Sequence, residues 1–153
     1  MKNVMKRVLI LATVALMLLA LASCGGSGDK SGAIKAAFEK EGYTAASVKY
    51  EDMNADVKAI IGAVLSENLV DKMANYQITV FSKKGDVLNI ELPKAIVIKC
   101  DSADAVKDFL TVTKEDGTKD TTAYDEAVTA GLINGNCYLL SLDADAINLF
   151  KNA

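Results

Sequence analysis

The chain has 153 residues, half of them hydrophobic and about a quarter charged, with a formal net charge of −3. That is enough for one ordinary domain once any targeting segment is set aside, and the composition excludes a disordered chain. It contains no histidine and no tryptophan, which removes the Ser-His and Cys-His nucleophile pairs, the His-based zinc sites and the usual general base near neutral pH.

The first 23 residues, MKNVMKRVLILATVALMLLALAS, carry Lys2, Lys6 and Arg7, no acid, and an apolar run from Val8 to about Ala22. As a helix that run is about 22 Å long, short of the ~30 Å hydrocarbon core. Cations, then an apolar stretch, then small residues is the build of a secretory signal peptide. Its end, Leu21-Ala22-Ser23-Cys24, resembles the bacterial lipobox, an aliphatic residue, two small residues and a cysteine that receives a diacylglyceryl group as the chain is cut before it. The resemblance implies a lipoprotein signal peptide over residues 1–23 and lipidation of Cys24. It also implies a fatty-acyl (palmitate-type) anchor holding the protein on the extracytoplasmic face of the cell membrane. Gly25 replaces the Asp that enteric bacteria use there for inner-membrane retention, so the leaflet stays open.

Losing three cations with the signal takes the net charge from −3 to −6. An acidic domain without a basic run has no electrostatic reason to bind nucleic acid, and an anionic bilayer repels it. The membrane contact therefore falls to the acyl chains, each buried methylene adding roughly 0.8 kcal/mol.

GGSGDKSG, residues 25–32, invites comparison with a phosphate-binding loop, G-x-x-x-x-G-K-[ST]. Counting back from Lys30-Ser31, Asp29 and Cys24 stand where the two glycines belong, so the loop is excluded. With Cys24 the stretch 24–32 is expected to be a lipidated flexible linker, leaving 33–153 as a single globular domain.

Just before that domain Ser31 is placed to cap a helix through Glu41, ended at Gly42. A short strand is expected around Ser47 to Tyr50. Val57, Ile60, Ile61, Val64 and Leu65 recur at helical spacing behind the cap Asn54, and Leu69, Val70 and Met73 continue after a break near Ser66. From Tyr76 the period becomes two, through Ile78 and Val80 to turn residues at 82–86. Val87 to Leu92 alternates again until Pro93 interrupts it. Ala95-Ile96-Val97-Ile98 has no polar alternate, which marks a strand covered on both faces or central in its sheet. Asp101-Ser102-Ala103-Asp104 opens a helix with Ala105, Val106, Phe109 and Leu110 on one face. A charged surface turn at Asp116-Gly117 follows. Thr122 and Asp125 begin a helix to Ala130, stopped by Gly131. Asn134-Gly135 reads as a hairpin turn before a strand from Cys137 to Leu142, and Asp143 caps a closing helix through Phe150.

Helices and strands without regular βαβ alternation predict an α+β domain of two layers, helices on one face of a largely antiparallel sheet. The later half, AIVIKCDSADAVKDF and INGNCYLLSLDADAINLF, resembles small, largely uncharacterised lipoproteins of low-GC Gram-positive bacteria. Over about 50 residues that resemblance implies a fold and a compartment.

Chemistry is sparse. No cofactor or metal motif is present, and Lys114 to Asp120 lacks the spacing of a calcium loop. Asp101, Asp104, Asp143 and Asp145 could serve carboxylate catalysis, but all sit at predicted helix starts, where capping accounts for them. Cys100 and Cys137 fall at strand ends and form a possible disulfide worth about 3–4 kcal/mol; the alternative is two buried free thiols. The five tyrosines could line a groove for sugar or peptide, or serve as core edges. The reading is a lipid-anchored, non-enzymatic protein with a binding or accessory role at the cell envelope. The alternatives are a small carboxylate enzyme acting on cell-wall glycan, which needs two acids converging in a cleft, and an exported inhibitor or immunity-type protein, which needs an exposed apolar patch or free sheet edge.

Overall fold

A computed structural model describes residues 29–84 and 91–153. The signal segment, the lipobox with Cys24, residues 25–28, most of the alternating stretch 87–92 and the side chain of Ile60 lie outside the described residues. In chain order the elements are α1 (Ser31–Lys40), β1 (Thr44–Val48), a single 3-10 turn (Tyr50–Asp52), α2 (Ala55–Val64), α3 (Glu67–Met73), β2 (Gln77–Lys84), β3 (Glu91–Lys99), α4 (Ala103–Leu110), β4 (Val112–Thr113), β5 (Lys119–Asp120), α5 (Thr122–Ala130), β6 (Ile133–Asn134), β7 (Cys137–Leu140) and α6 (Ala144–Asn152). Five strands form one antiparallel sheet in the order β1-β2-β3-β7-β6, and β4 and β5 pair as a separate small ribbon. The class is α+β, as the sequence implies.

Period-two alternation sends side chains to opposite faces, and both faces are apolar in the three central strands. Ile78, Val80, Ile96, Ile98, Tyr138 and Leu140 meet α2 to α5 through Val57, Ile61, Leu69, Met73, Val106, Phe109 and Ala127. Phe81, Ala95, Val97, Cys137 and Leu139 meet α1 and α6 through Ile34, Phe38, Ala146 and Phe150. The sheet is therefore a middle layer. The run Ala95 to Ile98 belongs to its central strand and is buried throughout; the expected single helical face holds for four helices, and α1 and α6 cover the other. Among the described residues every buried member of the two cores lies between Ile34 and Phe150, so the chain from Asp29 onward carries both cores as described.

Several local expectations shift. Pro93 does not interrupt β3. Phe81 pairs with Ala95 and Ser82 with Pro93, leaving Lys94 as the extra residue of a bulge, one of the few sheet positions where proline is tolerated. The first helix is not capped by Ser31. It starts there, with Asp29 Oδ1 accepting from the Ser31 amide (3.0 Å) and hydroxyl (2.7 Å). Residues 29–32 thus belong to the fold rather than to a linker. The strand expected at Ser47 to Tyr50 runs Thr44–Val48, and that expected to reach Leu142 stops at Leu140. Asp120, not Thr122, accepts the first amide of α5, from Thr122 at 3.0 Å. Asn54 and Asp143 do cap α2 and α6, and within the expected Asp101–Asp104 start the cap of α4 is Ser102. In the β6–β7 hairpin Gly135 takes the first central position with φ of +59°, and Asn136 the second. The carbonyl end of α4 is closed by Lys72 of α3, whose ammonium donates to Asp108, Phe109 and Thr111 oxygens at 3.1, 3.2 and 2.7 Å, satisfying acceptors a helix leaves open.

Candidate functional site

A polar clamp holds the start of α1. Asn136, 2 % exposed, accepts the Lys30 amide on Oδ1 (3.0 Å) and donates Nδ2 to the Cys100 carbonyl (2.8 Å). The Asn136 carbonyl accepts the Cys100 amide at 2.9 Å. Lys99 Nζ donates to Asp29 Oδ2 at 2.7 Å. That bond first, and those from Ser31 second, bring the Asp29 carboxyl down from 3.8 to about 2, so it stays ionised through the mildly acidic range. Lys30 Nζ also donates to the Ala153 carbonyl (3.3 Å). The sequence signal for Asn136 was present in Asn-Gly-Asn, but it announced a turn and not the contacts of its second asparagine.

The structure keeps the sequence-predicted acids apart. Asp101, Asp104 and Asp145 are exposed. Asp143 Oδ1 accepts the Asp145 and Ala146 amides at 3.0 and 3.1 Å as the cap of α6. Where a carboxyl is moved, at Asp29, Asp116 and Asp120, hydrogen bonds move it down, opposite to the direction a general acid needs. Among the described residues no three metal-ligating side chains come together.

Cys100 and Cys137 are buried free thiols, not a disulfide. Cys100 belongs to the α2–α5 core and Cys137 to the α1–α6 core. Side chains directed to opposite faces of a sheet cannot be bridged without moving the backbone. Burial pushes the Cys100 thiol up to about 11 and, with Asp29 nearby as a lesser cause, the Cys137 thiol to about 12. Both remain protonated and unreactive near neutral pH. In non-reduced protein from Asp29 onward, iodoacetamide is expected to leave both unlabelled at pH 8 while folded and to label both in denaturant. Mass spectrometry showing an unlabelled, oxidised pair in denaturant would establish the bridge instead.

Tyr50 and Tyr76, half-buried, meet at a recess of about 690 Å³ beside the end of β1 and the start of β2. Tyr43 and Tyr138 are core residues, and Tyr124 lies half-buried under Lys107, 5.6 Å from its ring centroid. The tyrosines therefore do not form one groove.

At the opposite end of the sheet β3 outruns β7, since Ile96 is the last β3 residue paired with it. A cavity of about 360 Å³ opens there, with Val64, Pro93, Ile96, Leu140 and Leu142 on its apolar wall. Its polar side is Lys94, Ser141 and Asp143. Ser141 Oγ donates to the Lys94 carbonyl (2.6 Å) and accepts the Asp143 amide (3.1 Å), and Lys94 Nζ stands 3.7 Å from Asp143 Oδ2. Mostly apolar lining with a few fixed polar groups is the make-up of a small-molecule site. Sequence reasoning missed this cluster because it assigned Asp143 to capping alone and Leu142 to a strand. Compared with known proteins, the chain matches no family description, no curated protein and no solved structure.

Proposed function

We propose that this is a lipid-anchored extracytoplasmic protein with a non-enzymatic binding or accessory role at the cell envelope. The observation that carries the reading is Leu21-Ala22-Ser23-Cys24 behind a cationic and then apolar leader. On that reading the fixed position of Asp29, five residues on, against Lys99 bears on how the domain is held. Five extended residues span at most about 18 Å, so an anchor at Cys24 turns the Lys99 end of the sheet toward the membrane and the 360 Å³ cavity away from it. The dispersed acids and protonated thiols favour binding over catalysis.

Expression of the full chain with Cys24→Ala, followed by fractionation and labelling with a palmitate analogue, tests it. Wild type is expected in the membrane fraction with label on Cys24, and the variant unlabelled and unprocessed at residue 23. Normal cleavage and membrane retention of Cys24→Ala would sink the proposal.

A further inference from the structure

Three large hydrophobic side chains stand exposed among the described residues, and two of them, Val64 (49 %) and Leu142 (91 %), border the cavity between β3 and β7. The strand edge beside it is closed to another strand. Pro93 has no N–H to offer, Lys94 is a bulge residue, and its carbonyl is already held by Ser141; these are the devices that blunt an edge. Space there suits a small molecule better than an added peptide strand.

Among the described residues the cavity carries one ammonium and one carboxylate 3.7 Å apart, Lys94 and Asp143, beyond direct hydrogen-bonding distance. Their charges cancel, so a ligand of either net sign leaves one of them facing a like charge. Charges this close are matched by a head that bears an ammonium and a carboxylate on a single carbon. We propose that the cavity binds an apolar α-amino acid as its zwitterion. The ligand carboxylate lies on Lys94, its ammonium on Asp143 Oδ2, and its side chain against Ile96, Leu140 and Leu142. The inference names a ligand for the binding role above and does not depend on the anchor.

The test titrates L-leucine and L-phenylalanine into the chain from Asp29 onward, followed by amide NMR shifts. Saturable changes are expected at residues 94–96 and 140–143. Leucinamide and N-acetyl-leucine, each lacking one charge, are expected to bind at least tenfold more weakly. So are Lys94→Met, which keeps the aliphatic stem, and Asp143→Asn, which keeps the helix cap; unchanged spectra elsewhere show that these variants are folded. Absence of saturation up to about 10 mM, shifts confined to another surface, or equal affinity in the charge variants overturns the proposal. Any of these results with Cys24 still lipidated removes the ligand and leaves the anchored protein; loss of Cys24 lipidation with binding intact does the reverse.

Discussion

Phe38→Ala is expected to lower the stability of the domain by about 3–5 kcal/mol. Phe38 is fully buried, stacked on Phe81 with centroids 4.3 Å apart and met edge-on by Tyr43 at 5.1 Å. Its core is the smaller of the two and is closed by α1 and α6. Truncation forfeits the apolar transfer energy and both aromatic contacts. It also leaves a void that the facing strand cannot fill, because Phe81 and Val97 belong to a sheet packed on its other face as well. Urea unfolding of the chain from Asp29 onward measures the effect as a lower midpoint at unchanged slope. Val128→Ala, at an exposed site on α5, is the comparison and should cost under about 0.5 kcal/mol. Similar losses from the two would mean that α1 adds little to the second core.

Asn136→Ala is expected to cost about 1–3 kcal/mol, more than a surface turn position could. The side chain holds the Lys30 amide and the Cys100 carbonyl. Alanine leaves the buried Cys100 carbonyl without this partner, at roughly 1–3 kcal/mol, whereas the amide of exposed Lys30 can turn to water at smaller cost. The loss has a local signature that Phe38→Ala lacks. Hydrogen exchange at the amides of Lys30 and Ser31 should rise by more than the global change in stability requires, since the clamp frees the start of α1 before the sheet opens. If exchange there moves only with global stability, Asn136 is a hairpin residue and not the tie for the entering chain.

These two residues show what the sequence made legible. Ile34 and Phe38 fall at helical spacing, so a buried face of α1 could be read directly. That this face meets Phe81 and Ala146 could not, because alternation in β2 and β3 marks two apolar faces without saying which helix covers each. The helix caps Asn54 and Asp143 are local devices and were legible, as was the Asp101–Asp104 start that Ser102 caps. The bulge that admits Pro93 depends on the register with β2 and was not. Cys100 and Cys137 fall at strand ends in the sequence reading, yet whether those strands pair and which faces the thiols take depend on register, and Lys99 rather than Cys100 stands opposite Cys137. At the cavity, Lys94 and Asp143 lie 49 positions apart in the chain, so only the β3–β7 pairing brings them together.

The bond from Lys30 to the Ala153 carbonyl places both ends of the described chain at one pole, on either side of the β6–β7 hairpin. The backbone is thus nearly a ring. A few glycines should be enough to join residue 153 to residue 29, and new ends could be cut at the exposed Asp116-Gly117 turn with both cores intact. Such a circular permutant would present its ends from the small β4–β5 ribbon, giving a handle with which the domain can be carried in another orientation on an anchor.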